Sequence, residues 1–223
     1  WLKGADNGVP DDQPVHYYVM GDPEDPDAAG NFWRAASSWP PRSEPLLAFL
    51  HPDGELSLDR PDKESELTYR YDPGDPVPTV GGQNMTISKG PMDQRQVESR
   101  PDVLVFTSHA LDSPIEITGR IRAKLYVSSD CPDTDFTVKL CDVYPDGRSM
   151  LVTDGVRKAK FRKSFNKPEL LTPGEVVEVD VDLWSTSLVF ARGHRVRVSV
   201  SSSNFPRFDP NPNTGQPWTP DGE

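Results

Sequence analysis

The sequence predicts an all-β fold with long irregular loops, most simply a jelly-roll sandwich. Short segments of alternating apolar and polar residues recur along the 223-residue chain, and turn residues separate them. No segment shows the period of a long helix, and strands do not alternate with helices. The 24 prolines and 16 glycines suit many short strands and turns. An all-β sandwich of this length forms one domain, so we assign residues 1–223 to a single domain.

The clearest pattern spans residues 115–162, where three strands follow one another. In the first, an apolar row that includes Leu125 alternates with charged residues, as in a strand with one face in a core and one in water. The second strand repeats the alternation and places Lys139 on the solvent side. Asp146-Gly147 supplies a tight turn into the third strand. Strands in series predict an antiparallel sheet that contains all three.

Shorter runs of the same alternation predict the other strands, which should lie near residues 15–19, 46–50, 56–58, 67–71, 103–106, 177–183 and 196–200. A Pro-Asp-Gly turn at residues 52–54 predicts a hairpin between two of them. Residues 21–45 and 72–102 are predicted to be irregular, because prolines and glycines interrupt any period. Residues 1–14 have the composition of a linker, and residues 204–223 that of a loop.

The composition argues against several classes of partner. The chain has 24 basic and 35 acidic residues, a formal net charge of -11, whereas nucleic acids and anionic membrane surfaces bind through basic residues. No run approaches the roughly 18 apolar residues that a spanning helix needs. Two cysteines do not make a disulfide framework. A bridge between Cys131 and Cys141 is geometrically conceivable but not favoured.

Residues that catalyse reactions or bind metals form no recognisable motif. The G-x-S-x-G motif of a serine hydrolase is absent. The histidines are interpreted as ordinary residues at strand ends, and they are His16, His51, His109 and His194. Asp130, Asp133 and Asp135 offer a weak Ca²⁺ signal that turn chemistry explains better. We therefore expect no catalytic residue, no metal and no cofactor in this chain.

Five sequence motifs are more specific than these patterns of alternation and composition. They are WLKG…DNGV at residues 1–9, YDPGDPVPTVGG at 71–82, GPMDQR at 90–95, SSDCPDTDFTVKLCDVYPDGR at 128–148 and SSSNFPRFDPNPNTG at 201–215. Together, and in this order, they resemble the C-terminal domain of the X-Pro dipeptidyl-peptidase and CocE/NonD hydrolase family. The resemblance extends over nearly the whole chain.

The resemblance implies a galactose-binding-like jelly roll appended to an α/β-hydrolase domain of the same protein. In the family that upstream domain carries a Ser-Asp-His triad and cleaves small acyl esters, amides or peptides. The triad is therefore expected to precede Trp1, with residues 1–14 as the linker, and a last strand of the family is expected beyond Glu223. On this interpretation the chain is a non-catalytic accessory domain that is inactive alone.

One loop is expected to reach the substrate. In the family, the segment between the PVP-x-x-GG and GP-x-DQR motifs lines the acyl pocket with a hydrophobic pair. The corresponding residues here are Gln83, Asn84, Met85, Thr86 and Ile87, and the apolar equivalents are Met85 and Ile87, although the pair is not matched residue for residue. The alternative is a loop that only packs against the catalytic domain.

Two other functions remain open at this point. A free-standing carbohydrate- or Ca²⁺-binding module is suggested by the jelly-roll pattern and by loop tryptophans at Trp33, Trp39 and Trp218. If these aromatic residues do not bind a ligand, we expect Phe32, Trp33 and Trp39 to cover a sheet edge or an interdomain seam. The third possibility is a purely structural or oligomerisation domain.

Overall fold

The computed structural model describes residues 3–4 and 7–216, and nearly all of their regular structure is β. The strands are β1 (Val15–Val19), β2 (Phe32–Ala36), β3 (Phe49–Leu50), β4 (Leu56–Ser57), β5 (Leu104–Thr107), β6 (Ile115–Val127), β7 (Asp135–Val143), β8 (Ser149–Lys158), β9 (Val177–Phe190) and β10 (Arg195–Ser201). The helical turns are α1 (Arg95–Glu98) and 3-10 segments at Val9–Asp11 and Ala159–Phe161. The all-β prediction is confirmed. No described helix is long and apolar enough to cross a membrane.

The core lies between a four-stranded antiparallel sheet and a long two-stranded ribbon. The sheet has the order β5-β10-β7-β8, and the ribbon pairs β6 with β9. Apolar side chains from both layers form one buried cluster, which includes Leu125 of β6, Val138 of β7, Val181 of β9 and Val200 of β10. Such two-layer burial is what an antiparallel sandwich needs. The jelly-roll and galactose-binding-like topology stays a prediction.

The prediction that β6, β7 and β8 share one sheet is wrong. β7 and β8 are joined by the tight turn that contains Gly147, whose backbone φ is 90°, and they pair in the four-stranded sheet. β6 instead pairs with β9 along its whole length. The connection after β6 spans residues 128–134, too long for a tight hairpin turn, so the chain crosses to the other layer.

A strand also occurs where an irregular loop was expected. β2 pairs with β1 in an antiparallel ribbon, but its side chains are mostly exposed, so it lacks an apolar row for sequence analysis to detect. The ribbon packs through Tyr17 and Val19 against Val189. Trp39 packs edge-on against Tyr17 at a centroid distance of 5.3 Å, whereas Trp33 of β2 stays 70% exposed.

Strand β7 is buried on both faces, which contradicts the prediction of a solvent-facing side. All nine of its residues are buried, and Lys139 is only 3% exposed. The polar face is covered by neighbouring loops: Thr137 Oγ1 donates to Ser203 O at 3.3 Å, and Asn211 Nδ2 donates to Asp135 Oδ1 at 2.6 Å. Alternation along a strand therefore distinguishes its two faces but does not show whether water reaches the polar face.

The strand predicted at residues 67–71 is absent from the described structure. Its alternating tyrosines point into the segment after β10 instead of joining a sheet. The Tyr69 hydroxyl lies 2.7 Å from Ser202 Oγ, and Tyr71 Oη donates to the Asn211 carbonyl at 3.1 Å. Burial raises the pKa of both phenols to about 12. The alternation of tyrosines within residues 67–71 therefore arises from contacts with a loop and not from the two faces of a strand.

Replacing Tyr69 with Phe should weaken the alkaline pH dependence of stability. Burial raises the folded pKa of Tyr69 to about 12, whereas an unfolded tyrosine ionises near pH 10. The neutral phenol therefore stabilises the fold fully below about pH 10 and loses that contribution as the pH rises toward 12, with a slope of up to about 1.4 kcal/mol per pH unit.

Urea unfolding of both proteins between about pH 8 and pH 11 measures this slope. At the lower pH the variant should lose only the hydrogen bond to Ser202, about 1 kcal/mol. Parallel curves for wild type and Tyr69→Phe would contradict the assignment.

Candidate functional site

The residues predicted to line a substrate pocket lie in a short loop closed by its own backbone. Gly82 N donates to Gly90 O at 2.8 Å, and Gly90 N donates to Gly82 O at 3.1 Å. These two bonds bring the ends of the chain together, so residues 83–89 project as a separate loop. We refer to this segment as the 83–89 loop.

Asn84 holds the interior of the 83–89 loop. Its side-chain Nδ2 donates to the carbonyls of Gly81 and Ser88, at 2.9 and 3.2 Å, and its Oδ1 accepts from Ile87 N at 3.1 Å. One side chain thus satisfies three backbone groups from both halves of the loop. Asn84 therefore shapes the loop, and its polar atoms are already occupied.

Met85 is the most exposed of the predicted pocket residues. Its side chain is 94% exposed, and Gln83 and Thr86 are also exposed, whereas Ile87 is half-buried. Exposure of a single methionine is unfavourable by the roughly 1.5–3 kcal/mol that its full burial would gain. The loop therefore presents an apolar side chain that a partner or substrate would stabilise by covering it.

Two adjacent glycines make the closure possible. Gly81 and Gly82 have backbone φ values of +71° and +88°, which L side chains rarely adopt. A Cβ on Gly81 would lie 2.5 Å from Gly90 O, and a Cβ on Gly82 would lie 3.3 Å from Arg207 Nη1 and from Leu151 Cδ2. Both positions therefore favour glycine by conformation, and Gly81 also leaves no room for a Cβ because the backbone oxygen of Gly90 is so close.

Both flanks of the loop are fixed to neighbouring structure. On the N-terminal side, Thr79 N donates to Phe205 O at 2.6 Å. On the C-terminal side, Leu151 N of β8 donates to Met92 O at 3.1 Å, and Gln94 N donates to Ser149 O at 2.8 Å. The 83–89 loop thus stands on a base that is continuous with the edge of the four-stranded sheet.

His194 lies at a strand end, as interpreted from the sequence, since it immediately precedes β10, and its side chain is buried. Its Nδ1 lies 2.9 Å from Asp142 Oδ1, and its ring packs at a tilt of 44° against Tyr144, at a centroid distance of 4.3 Å. Burial raises the pKa of Asp142. Among the described residues no serine, threonine or cysteine hydrogen-bonds His194 Nε2, so this pair lacks the nucleophile of a catalytic triad.

Asp133 and Asp135, two of the three acidic residues suspected of binding Ca²⁺, are occupied by groups of the same chain. Asp133 Oδ2 lies 3.3 Å from Lys160 Nζ, and Asp135 Oδ2 lies 3.2 Å from Lys158 Nζ. Asn211 donates to both carboxylates. Within residues 3–4 and 7–216, no three His, Cys, Asp or Glu side chains are grouped so as to hold a metal ion.

Both cysteines are free thiols. Cys131 is partly exposed and Cys141 is buried on β7, where burial raises the pKa of its thiol to about 12. A buried thiol that stays protonated behaves as a small apolar residue rather than as a nucleophile. Trp218, the third of the tryptophans considered for ligand binding, lies outside the described residues.

These features describe a β-sandwich that presents a loop, and comparisons with known proteins identify its family. The X-Pro dipeptidyl-peptidase C-terminal non-catalytic domain family matches residues 7–220. The chain therefore belongs to this family, which supplies the C-terminal domain of CocE/NonD hydrolases, and the resemblance found in the sequence motifs is confirmed.

Individual relatives support the assignment. Cocaine esterase of Rhodococcus sp. (strain MB1 Bresler) is 40% identical, over 96% of this chain and 38% of its own length. An aminopeptidase from the marine sediment archaeon Thaumarchaeota archaeon superposes with a TM-score of 0.77 at 29% identity, over 86% of this chain and 35% of the aminopeptidase. An α-amino acid ester hydrolase superposes with a TM-score of 0.75 at 30% identity, over 85% of this chain and 34% of the hydrolase. The chain thus spans little more than a third of these relatives.

Replacing Gly82 with Ala should destabilise the loop base more than the same change at Gly147. Both glycines have φ near +90°, but a Cβ on Gly147 meets nothing within 4 Å, whereas one on Gly82 meets Arg207 and Leu151. The backbone cost of about 1–2 kcal/mol is common to both, and contact strain adds about another 1 kcal/mol at Gly82.

Chemical denaturation of the two variants measures the difference. Equal losses at both positions would show that Arg207 and Leu151 adjust freely and that the loop base is not tightly packed.

Proposed function

We propose that this chain is the C-terminal accessory domain of a serine acyl-hydrolase, packs against an α/β-hydrolase domain of the same protein, and supplies the 83–89 loop as one wall of the substrate pocket. The observation that carries the proposal is the 94% exposed Met85 on a loop closed at Gly82 and Gly90. In this arrangement residues 1–14 link the two domains.

A pocket wall needs an apolar surface held at a defined place. The bonds of Asn84 and the Gly82–Gly90 closure fix the loop backbone, so binding Met85 against a substrate costs little backbone ordering. Methionine is unbranched and polarizable, which lets it adapt to acyl groups of different shape. Ile87, half-buried beneath the tip, adds a second apolar contact.

The acyl-transfer chemistry is assigned to the α/β-hydrolase domain. Acyl transfer needs a nucleophile, a base and donors for the oxyanion. The Asp142–His194 pair does not provide this set within residues 7–216, because no hydroxyl or thiol bonds the free side of the ring. The names of the relatives, an esterase, an aminopeptidase and an amino acid ester hydrolase, favour a small acyl ester, amide or peptide as substrate.

Replacing Met85 with Ala in the full-length enzyme should lower kcat/KM most for substrates with large acyl groups. Removing one apolar side chain from a pocket changes discrimination by about tenfold. A series of p-nitrophenyl esters of increasing acyl size measures the effect. Val176→Ala, which truncates another exposed apolar residue in the turn before β9, serves as the control and should leave the series unchanged. A uniform response of Met85→Ala across the series would refute the proposed wall.

The isolated chain should show no turnover of p-nitrophenyl esters or X-Pro anilides, because its described residues lack a complete nucleophile–base pair. The full-length enzyme, assayed beside it, should be active and should lose activity with a serine-directed inhibitor. Inhibitor-sensitive turnover by the purified chain alone would disprove a purely accessory role.

A further inference from the structure

We propose that Gln94 and Lys139 are positioning residues, which set the height of the 83–89 loop above the four-stranded sheet and thereby the acyl-group preference of the enzyme. This inference rests on the proposed function of the loop. Neither residue reaches the loop tip: Lys139 lies in the middle of β7, and Gln94 precedes α1.

Gln94 joins the two flanks of the loop. Its side chain is completely buried, and its Nε2 donates to Val80 O at 2.8 Å and to Met92 O at 2.9 Å. Val80 lies just before the Gly81-Gly82 pair, and Met92 lies just after Gly90. One amide therefore holds the chain where it enters the loop and where it leaves it.

Lys139 connects this amide to the sheet. Its Nζ donates to Gln94 Oε1 at 3.1 Å, and its backbone is paired with Asp154 of β8 on one side and Ser199 of β10 on the other. A strand paired on both edges is among the least mobile parts of a sheet. The lysine thus ties the loop base to a central strand.

The burial of Lys139 argues for a role beyond stability. A buried ammonium costs several kcal/mol of desolvation, and well-packed apolar residues often replace buried charges without loss of stability. Burial lowers the pKa of Lys139, since desolvation disfavours the charged form. An apolar side chain at position 139 would not form a directed hydrogen bond to Gln94. The direction of that bond orients the Gln94 amide toward the carbonyls of Val80 and Met92.

A second contact joins the same buried layer to the N-terminal end of the loop. Arg207 Nη1 donates to Asp154 Oδ1 of β8, and Asn204 Nδ2 donates to Asp154 Oδ2 at 3.0 Å. Arg207 Nη1 also lies next to Gly82, where it would contact an added Cβ. The N-terminal end of the loop therefore lies against Gln94 and against an arginine bonded to the sheet, whereas its C-terminal end is held by Gln94.

The test uses the full-length enzyme and four variants in two matched pairs. Gln94→Glu keeps the size of the side chain and a partner for Lys139 but removes the donors to the two carbonyls. Its control is Gln96→Glu, the same change at an exposed position of α1. Lys139→Met is matched by Lys124→Met, at an exposed lysine of β6 that pairs with Glu178.

The ratio of kcat/KM for a large and a small acyl ester is the decisive measurement. A displacement of a pocket wall by about 1 Å can change rates by up to about a hundredfold, so we expect Gln94→Glu and Lys139→Met to shift this ratio by about tenfold, in the direction that Met85→Ala shifts it. The two controls should leave it within about twofold. A residue that only stabilises the fold would lower the melting temperature without changing the ratio.

Hydrogen exchange gives an independent readout. The Gly82 and Gly90 amides, which close the loop, should exchange about tenfold faster in Gln94→Glu while the amides of β7 stay protected. If Lys139→Met does not fold, Gln94→Glu alone still decides between the outcomes. In that variant the buried Lys139 ammonium keeps a hydrogen-bond partner, so folding is expected.

The result separates the two proposals. An unchanged ratio in the folded Gln94→Glu variant, alongside a changed ratio in Met85→Ala, overturns the positioning role and leaves the pocket wall intact. An unchanged ratio in Met85→Ala overturns both, since the inference depends on the wall.

Discussion

The burial of both faces of strand β7 is the constraint on which the rest of the structure depends. One face contributes Val138 and Leu140 to the core between the two layers. The other carries Thr137, Lys139 and Asp135, which the loops before β5 and after β10 cover. Because buried polar groups must be hydrogen-bonded, this second face dictates where those loops lie.

The covering loops are therefore ordered parts of the fold. Tyr69 and Tyr71 bind the segment after β10, Thr79 pairs with Phe205, and Gln94 bonds to Lys139. Long segments without strands usually carry function or disorder, and here they are hydrogen-bonded to the sheet and to each other. In the 83–89 loop this layer turns outward and exposes Met85, whose side chain is 94% exposed.

Under the proposed function, the accessory domain would influence catalysis without supplying catalytic groups. The sandwich would provide rigidity, the buried polar layer would fix the height of the loop, and the glycine-closed loop would present Met85 at a defined position. Substrate discrimination responds to small displacements of a pocket wall, whereas stability responds mainly to buried area. Under this proposal, stability and substrate discrimination depend on different residues of the domain.

The sequence by itself determined the class of fold, the family and most of the strands, because period-two alternation and turn residues are local properties. It also located the 83–89 loop, since glycine pairs and motif order are visible in a single chain. Only the tertiary structure decided that β6 leaves its sequence neighbours for β9, that the exposed β2 is a strand, and that Lys139 is buried. Each of these outcomes depends on which distant segment covers a face or pairs with an edge, and alternation within one strand carries no information about that partner.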